Sequence, residues 1–166
     1  MRDARGVPVG DLPVFLEEIS NKQVMETLST ASGAWRFEGL RDGRYRVHYG
    51  NMERPLIPPR DFTYIAPQRQ LEEDEVPTTA SVAFWVLDED GLAVMDARVR
   101  GFGRPGGQVV TTSGFDGKAI ARFLPGGRYQ VKADHAADDL EGKADFILEG
   151  DELNHPVQVV LYPKRR

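Results

Sequence analysis

Residues 116–131 (DGKAIARFLPGGRYQV) repeat, at an offset of 84 positions, the pattern of residues 32–47 (SGAWRFEGLRDGRYRV). The matched positions are, in pairs, Gly33 and Gly117, Leu40 and Leu124, Gly43 and Gly127, Tyr45 and Tyr129, and Val47 and Val131. A spacing this constant indicates an internal repeat, so the chain is expected to contain two copies of one structural unit.

Each copy has the pattern of a strand, a tight turn and a second strand. A Gly-containing turn opens the unit. Apolar residues then alternate, as one face of a strand requires; they are Trp35 and Phe37 in the first copy, and Ala119, Ala121 and Phe123 in the second. After the second turn, Tyr45, Val47 and Tyr49 alternate with polar residues. The pattern therefore predicts that each copy ends in a half-buried strand.

The upstream halves of the two copies carry a second shared pattern. Residues 88–99 (DEDGLAVMDARV) fit the pattern D-x-x-G-x-P-V-x-x-A-x-V except at its proline, and residues 3–14 (DARGVPVGDLPV) contain that proline. Together with the Gly-Arg-Tyr-x-Val strands, this motif resembles the carboxypeptidase regulatory-like family of prealbumin-like (transthyretin-like) β-sandwiches and the related collagen-adhesin B-type repeats. The resemblance implies an all-β chain of two tandem antiparallel, Ig-like sandwiches. Its members serve as spacers, stabilisers, adhesive modules or sugar-binding modules, so it leaves the function open.

The repeat predicts a first sandwich over residues 1–66, an acidic linker over 67–79 and a second sandwich over 80–163. Residues 82–87 (VAFWVL) form a strong strand before the second copy, and nothing equivalent precedes the first. Three explanations stay open: the chain starts inside a longer protein, another chain supplies the strand by addition to an open edge, or the domain tolerates its loss. The first domain also lacks a match for the last strand, residues 156–162.

Residues 12–28 have locally ambiguous periodicity, because their apolar positions also fit helical spacing. The repeat favours two strands joined by a hairpin turn, with Val14 aligned to Val99 and Val24 to Val109.

Composition excludes several classes of function. The chain has no cysteine and a formal net charge of -5, and residues 72–75 are all acidic. We therefore expect no disulfide or thiolate site, no general attraction for nucleic acid and, with no long apolar run, no membrane span. No signal peptide occurs in this sequence.

No catalytic or metal-binding constellation is predicted. His48, His135 and His155 share no metal-ligand spacing, and the acidic turns at 88–91 and 134–142 lack the spacing of a calcium loop. The predicted first strand of the second copy has no lysine for an isopeptide bond with Asn154. We expect no enzyme and no cofactor.

The candidate interaction residues are one aromatic residue and two basic rows, namely Trp85, Arg44, Arg46, His48, Arg98 and Arg100. For Trp85, packing in the core or against the other domain is favoured over an exposed platform. The basic rows are typical of solvated strand faces, and docking to an acidic partner is the alternative. The sequence therefore predicts a non-catalytic structural or protein-interaction module of a larger bacterial envelope or extracellular assembly. We expect a protein partner, and the alternative is a carbohydrate-binding or adhesive module with a glycan ligand.

Overall fold

The computed structural model describes residues 1–67, 74–104, 106–149 and 155–164. Every regular element in these ranges is a β-strand, so the predicted all-β class is confirmed. The chain divides into two compact units, Met1–Thr78 and Thr79–Arg166. Residues 68–73 of the predicted linker, and Asn154, lie outside the described ranges.

The first unit contains a four-stranded antiparallel sheet and a short parallel pair of strands. Its strands are β1 (Arg2–Asp3), β2 (Pro13–Glu18), β3 (Val24–Leu28), β4 (Gly43–Tyr49), β5 (Arg60–Tyr64) and β6 (Glu75–Val76). The larger sheet has the order β3-β2-β4-β5, and β1 pairs with β6. Val14, Leu16, Tyr45 and Val47 are buried on one face of the larger sheet, as their alternation predicts.

Part of the predicted linker belongs to the first unit. Glu75 and Val76 form β6, which pairs in parallel with β1, and Val76 is buried. In the second unit the first and last long strands also pair in parallel, with Leu87 opposite Val160. In the first unit the described pairing covers two residues of each strand. The acidic composition of residues 72–75 had suggested a linker where β6 lies.

The strand predicted around Trp35 and Phe37 is absent. These residues lie in irregular backbone between β3 and β4, although their side chains are half-buried while Arg36 and Glu38 are exposed. Alternation alone does not make a strand, because a strand also needs a neighbour to accept and donate its backbone hydrogen bonds. β1 has two residues and pairs with β6, so this stretch has no neighbouring strand within the described part of the first unit.

The β2–β3 hairpin is present, but its predicted alignment is wrong by one residue in β3. Met25 lies opposite Leu16, and Val24 is exposed. In the second unit, the buried Val109 occupies the place of Met25, opposite Gly101. The one-residue difference between the copies therefore falls within the hairpin turn, and a one-residue shift moves a side chain to the other face of a strand.

The second unit is a β-sandwich of two sheets. Its strands are β7 (Thr79–Leu87), β8 (Arg98–Arg104), β9 (Gln108–Thr112), β10 (Lys118–Pro125), β11 (Gly127–His135), β12 (Leu140–Leu148), β13 (His155–Val160) and β14 (Tyr162–Pro163). One sheet has the order β10-β7-β13 and the other β14-β12-β11-β8-β9.

Both sheets of the second unit contribute alternate side chains to one buried core. Phe84 of the smaller sheet meets Phe146 of the larger one edge to face, with ring centroids 5.7 Å apart. Tyr129 lies opposite Phe146 on the neighbouring strand, and the two rings stack with their centroids 5.2 Å apart. The two layers are therefore joined at their centre by three aromatic rings.

A buried serine closes the same loop in each unit. Ser29 accepts a hydrogen bond from the Leu12 N–H at 3.0 Å and donates one to the Val9 carbonyl at 2.7 Å. Ser113 makes the equivalent two bonds in the second unit, at 2.9 and 2.6 Å. Asp11 and Asp96, just before the strands concerned, both have positive φ angles of 57°. The two copies thus share backbone geometry as well as sequence pattern.

The repeated tyrosine also has the same role in both units. The Tyr45 hydroxyl donates to the Arg41 carbonyl at 2.9 Å, and the Tyr129 hydroxyl donates to the Pro125 carbonyl at 2.7 Å. Burial raises the pKa of the Tyr129 phenol, so it stays a hydrogen-bond donor at neutral pH. The Gly-Arg-Tyr signature therefore fixes the turn that precedes it.

Candidate interaction surface

The first predicted basic row lies on β4, and its three residues differ in environment. Arg44 is exposed, whereas Arg46 makes two hydrogen bonds to Asp61 on β5, at 2.6 and 3.1 Å. The Arg46 guanidinium holds the pKa of Asp61 below its usual value. Arg46 therefore has a partner within its own sheet.

His48 is buried, which contradicts its predicted place on a solvated polar face. Its Nε2 lies 3.5 Å from Glu17 Oε2 on the neighbouring strand, and neither ring nitrogen has hydrogen-bond geometry to any described residue. Lys22 lies 3.1 Å from the same carboxylate, and its hydrogen bond lowers the pKa of Glu17. The alternation of apolar and polar residues along β4 predicts that His48 and Val47 lie on opposite faces, but it does not predict that the His48 face is shielded from solvent at this position. His48 is thus removed from the predicted exposed row.

The second predicted row lies on the outer face of the five-stranded sheet. Arg98 and Arg100 are exposed on β8, and Arg100 pairs with Asp134 on β11 at 2.6 Å. Lys132 pairs with Glu141 on β12, also at 2.6 Å. This face therefore carries cross-strand ion pairs, a solvated arrangement that contributes little to stability.

Trp85 lies on the outer face of the three-stranded sheet and is 41% exposed. Its cross-strand neighbours are Lys118 on β10 and Gln158 on β13. The Lys118 ammonium lies 5.6 Å from the centre of the indole ring. Within the second unit, Trp85 therefore lies outside the core, with a lysine on one side of the ring and an amide on the other.

Sequence reasoning missed the extent of one further feature, which we name the open edge: residues 34–41. Its first residue, Ala34, accepts a backbone hydrogen bond in the same way as Lys118, the first residue of β10. The Thr30 N–H donates to the Ala34 carbonyl at 2.7 Å, and the Gly114 N–H donates to the Lys118 carbonyl at 2.9 Å. Between its ends, residues 35–40 make no backbone hydrogen bond to any described residue. In the sequence, this feature is indicated by an alternating strand pattern for which the first copy shows no neighbouring strand.

Asp3 anchors the start of the first unit. It is buried, accepts hydrogen bonds from the backbone N–H groups of Arg5 and Val7, and pairs with the Arg5 guanidinium at 3.0 Å. Burial alone would raise its pKa, but these hydrogen bonds outweigh burial and lower it. Since the folded pKa lies below the unfolded value of about 3.9, Asp3 stabilises the fold above that pH, and the contribution is lost as pH falls through the folded pKa.

Replacing Asp3 by asparagine is therefore expected to lower the urea midpoint of the first unit at pH 7 and to have less effect near pH 2, where the native carboxyl is also neutral. Asp88→Asn is the matched control. The Asp88 carboxylate accepts hydrogen bonds from the backbone N–H groups of Asp90 and Leu92 and, among the described residues, forms no ion pair. An equal loss of stability on acidification in the native chain and in Asp3→Asn would contradict this role.

Other chemistry has little support in the described part of the chain. Ranges 1–67, 74–104, 106–149 and 155–164 contain no group of three or more metal-ligating side chains. His135 lies beside Asp138, and His155 stacks near Phe146, so the three histidines have separate neighbours. Within the same ranges, no helix is long and apolar enough to span a membrane.

Comparison with known proteins gives distant structural matches. No protein-family model matches the chain, and no curated protein matches its sequence. Among solved structures it is similar to the Bacillus anthracis TIE protein, with 15% identity, a TM-score of 0.41 and coverage of 96% of this chain and 32% of that one. The minor pilin GBS52 of Streptococcus agalactiae gives 12% identity, a TM-score of 0.41 and coverage of 97% and 87%.

A third similar structure is the shaft pilin SpaA of Lactobacillus rhamnosus GG, with 11% identity, a TM-score of 0.39 and coverage of 95% and 87%. The chain spans about a third of the TIE protein and most of the length of these two pilins. Similarity at this level assigns neither a function nor a partner, so the function is inferred from the sheet faces and edges of this chain.

Proposed function

We propose that this chain is a non-catalytic structural and protein-interaction module of a larger bacterial envelope or extracellular assembly. In this proposal its two units are tandem prealbumin-like sandwiches, joined by the residues between β6 and β7. The observation that carries the proposal is the open edge. The first unit presents an alternating, strand-length stretch of irregular backbone that makes no backbone hydrogen bond to any described residue, and an extended segment with free backbone groups can accept a strand from another chain.

The repeat supports this proposal because it supplies an internal reference. The second unit buries the equivalent stretch as β10, paired over most of its length with β7. Unpaired backbone groups beside half-buried aromatic rings are unfavourable unless water or another chain satisfies them. A partner in an assembly would satisfy these backbone groups.

The test is isolation of the chain from its native source under gentle conditions, with chemical cross-linking and mass spectrometry of the intact species. We expect a stoichiometric assembly larger than the 18.5 kDa chain, with cross-links that include the first unit. A well-folded monomer without a partner under all conditions of growth would contradict the proposal.

Carbohydrate binding is the second candidate, and the exposure of Trp85 favours it. An indole ring between Lys118 and Gln158 offers an apolar stacking surface flanked by hydrogen-bonding groups. The chain has two tryptophans, so Trp35→Phe leaves Trp85 as the only indole reporter. If glycans bind here, neutral oligosaccharides are expected to shift the emission of this variant, and Trp85→Ala should lose retention on the same glycans. Unchanged emission across a broad glycan panel would remove this candidate.

A further inference from the structure

The outer face of the five-stranded sheet, which we name the basic face, carries more cations than carboxylates. Its outward positions follow from the alternation of buried and exposed residues along β8, β11 and β12. Against three carboxylates on β11 and β12 it has six cations, which are Arg98, Arg100, Arg104, Arg128, Lys132 and Lys143. Since the whole chain has a net charge of -5, this face is opposite in sign to the chain that carries it.

Cations of the basic face lie directly opposite one another on neighbouring strands. Arg128 on β11 is opposite Arg104 on β8. Lys132 lies opposite Arg100 on one side and Lys143 on the other. Because like charges in directly opposed positions destabilise a sheet, this arrangement lowers the stability of the second unit.

Carboxylates of the same face neutralise only some of these cations. Arg100 and Lys132 each pair with a carboxylate at 2.6 Å. Arg104 and Arg128 are exposed, directly opposed and, among the described residues, without an ion-pair partner. An anionic group placed between two guanidinium groups accepts charge-assisted hydrogen bonds from both. The basic face is therefore complementary to an anionic ligand.

The first unit shows that the shared motif does not require this charge pattern. At the position that corresponds to Gln130, β4 has Arg46, which lies opposite Glu17 on one side and Asp61 on the other. Opposite charges are therefore in register there, and Arg46 pairs with Asp61 at 2.6 Å. The described sheet of the first unit has no directly opposed cations. The needs of the fold therefore do not explain the opposed cations of the second unit.

An exposed aromatic ring lies among the cations. Phe102 is 50% exposed and lies between Arg100 and Arg104 on the outward side of β8. Its cross-strand neighbours are Gln108 and Gln130. The C–H face of a sugar ring packs well on an aromatic side chain, and sugar hydroxyl groups can pair with neighbouring amides. This part of the basic face therefore fits a sugar ring.

The carboxylates of the face help to choose among anionic ligands. Asp145 is exposed and lies opposite Gln130. It repels a ligand with a dense row of negative charges, such as nucleic acid. A sugar polymer has hydroxyl donors between its anionic groups, so it can donate to such a carboxylate while its own anions contact the cations. The combination of cations, carboxylates, amides and an aromatic ring thus matches an acidic polysaccharide best.

We propose that the basic face binds an acidic polysaccharide whose charged groups are carboxylates. These carboxylates contact Arg100, Arg104 and Arg128. One sugar ring stacks on Phe102. The inference does not rest on the proposed assembly function, and it differs from the candidate site at Trp85, which lies on the other sheet and takes neutral sugars. Binding also relieves the repulsion between the opposed cations, so the ligand stabilises the second unit.

The test uses the full chain and oligogalacturonate, with the methyl ester of the same oligomer as an uncharged control. Binding is measured by titration calorimetry and located by amide chemical shifts. We expect the acid form to bind more weakly as salt rises, to shift amides of β8 and β11, and to bind at least about tenfold more tightly than the ester. Absence of binding, equal binding of both forms, or shifts confined to other strands would overturn the inference.

A matched pair of variants tests the opposed arginines. Arg128→Gln and Arg122→Gln each remove one exposed charge, and Arg122 lies on β10 of the other sheet. We expect Arg128→Gln to weaken binding about fivefold and Arg122→Gln to leave it unchanged. Because Arg128→Gln also removes repulsion from Arg104, its urea midpoint should not fall. Equal effects of the two variants on binding, or a lower midpoint for Arg128→Gln, would overturn the inference.

Variants of Phe102 separate a sugar from other anions. Phe102→Leu removes the flat ring and should weaken binding of oligogalacturonate about fivefold, whereas Phe102→Tyr keeps the ring and should preserve binding. Polyglutamate and single-stranded DNA, used at the same concentration of charge, are expected to bind at least about tenfold more weakly than the acidic sugar. Equally tight binding of either polymer, or full binding by Phe102→Leu, would overturn the assignment to a polysaccharide. Each of these failures leaves the assembly function standing, because that function is tested separately on native material.

Discussion

Replacing Phe84 by alanine is expected to lower the free energy of unfolding of the second unit by about 3–5 kcal/mol. Phe84 is fully buried and meets the Phe146 ring at the centre of the core. Truncation removes this contact between the two sheets and leaves a cavity that the surrounding strands fill only in part. The measurement is urea denaturation, with hydrogen exchange of β7 and β10 amides to assign the loss to the second unit.

Trp85→Ala is the matched control for this prediction. Trp85 adjoins Phe84 in the same strand but points to the outer face, where it is 41% exposed. Its truncation is expected to change the free energy of unfolding by only about 0.5 kcal/mol or less, as for other surface substitutions. Similar losses for the two variants would mean that the outer face is covered and that the exposed platform does not exist.

Much of the fold could be predicted because the chain repeats itself. A doubled Gly-Arg-Tyr pattern identified β4 and β11, and alternation assigned Tyr45 and Tyr129 to the buried face. In a single copy, residues 12–28 fit a helix or two strands equally well. The second copy decided between these interpretations, because its matching residues 104–107 (RPGG) have the proline and glycines of a hairpin turn.

The failures have a common physical origin, since sequence periodicity reports which face a side chain takes but not what lies beyond it. His48 was correctly placed on the outer face of β4 and is nevertheless buried. Trp35 and Phe37 alternate as a strand does, yet none of the described strands pairs with them. Val24 was aligned with Val109, whereas Met25 holds that place, because the comparison carried one constant offset across a turn that differs by one residue.

The candidate site followed from the sequence only in outline. A first unit with missing partners was expected from the lack of a match to residues 82–87. The alignment of Trp35 with Ala119 was readable from the sequence, but the neighbours of Ala119 follow only from the register of β7 on β10. Pairing register depends on contacts between distant parts of the chain, and local pattern does not determine it.

The second large effect is expected at the repeated serine. Ser113→Ala removes a hydroxyl that accepts from the Ala97 N–H at 2.9 Å and donates to the Val94 carbonyl at 2.6 Å. Because Ser113 is buried, water does not readily replace its hydroxyl. The Ala97 N–H and the Val94 carbonyl then lose their partner, and leaving such buried groups without a hydrogen bond costs about 1–3 kcal/mol of stability. Ser29→Ala is expected to destabilise the first unit in the same way.

The pair of serine variants also tests whether the two copies are equivalent. Measured by urea denaturation with hydrogen exchange, each variant should lower protection in its own unit and leave the other unit unchanged. Ser113→Thr is the conservative control, since it keeps the hydroxyl but adds a methyl group to a tightly packed loop. A loss from Ser113→Ala below about 0.5 kcal/mol would show that the loop relaxes to satisfy both groups. A large loss in both units would confirm that the same buried hydroxyl stabilises each copy of the motif.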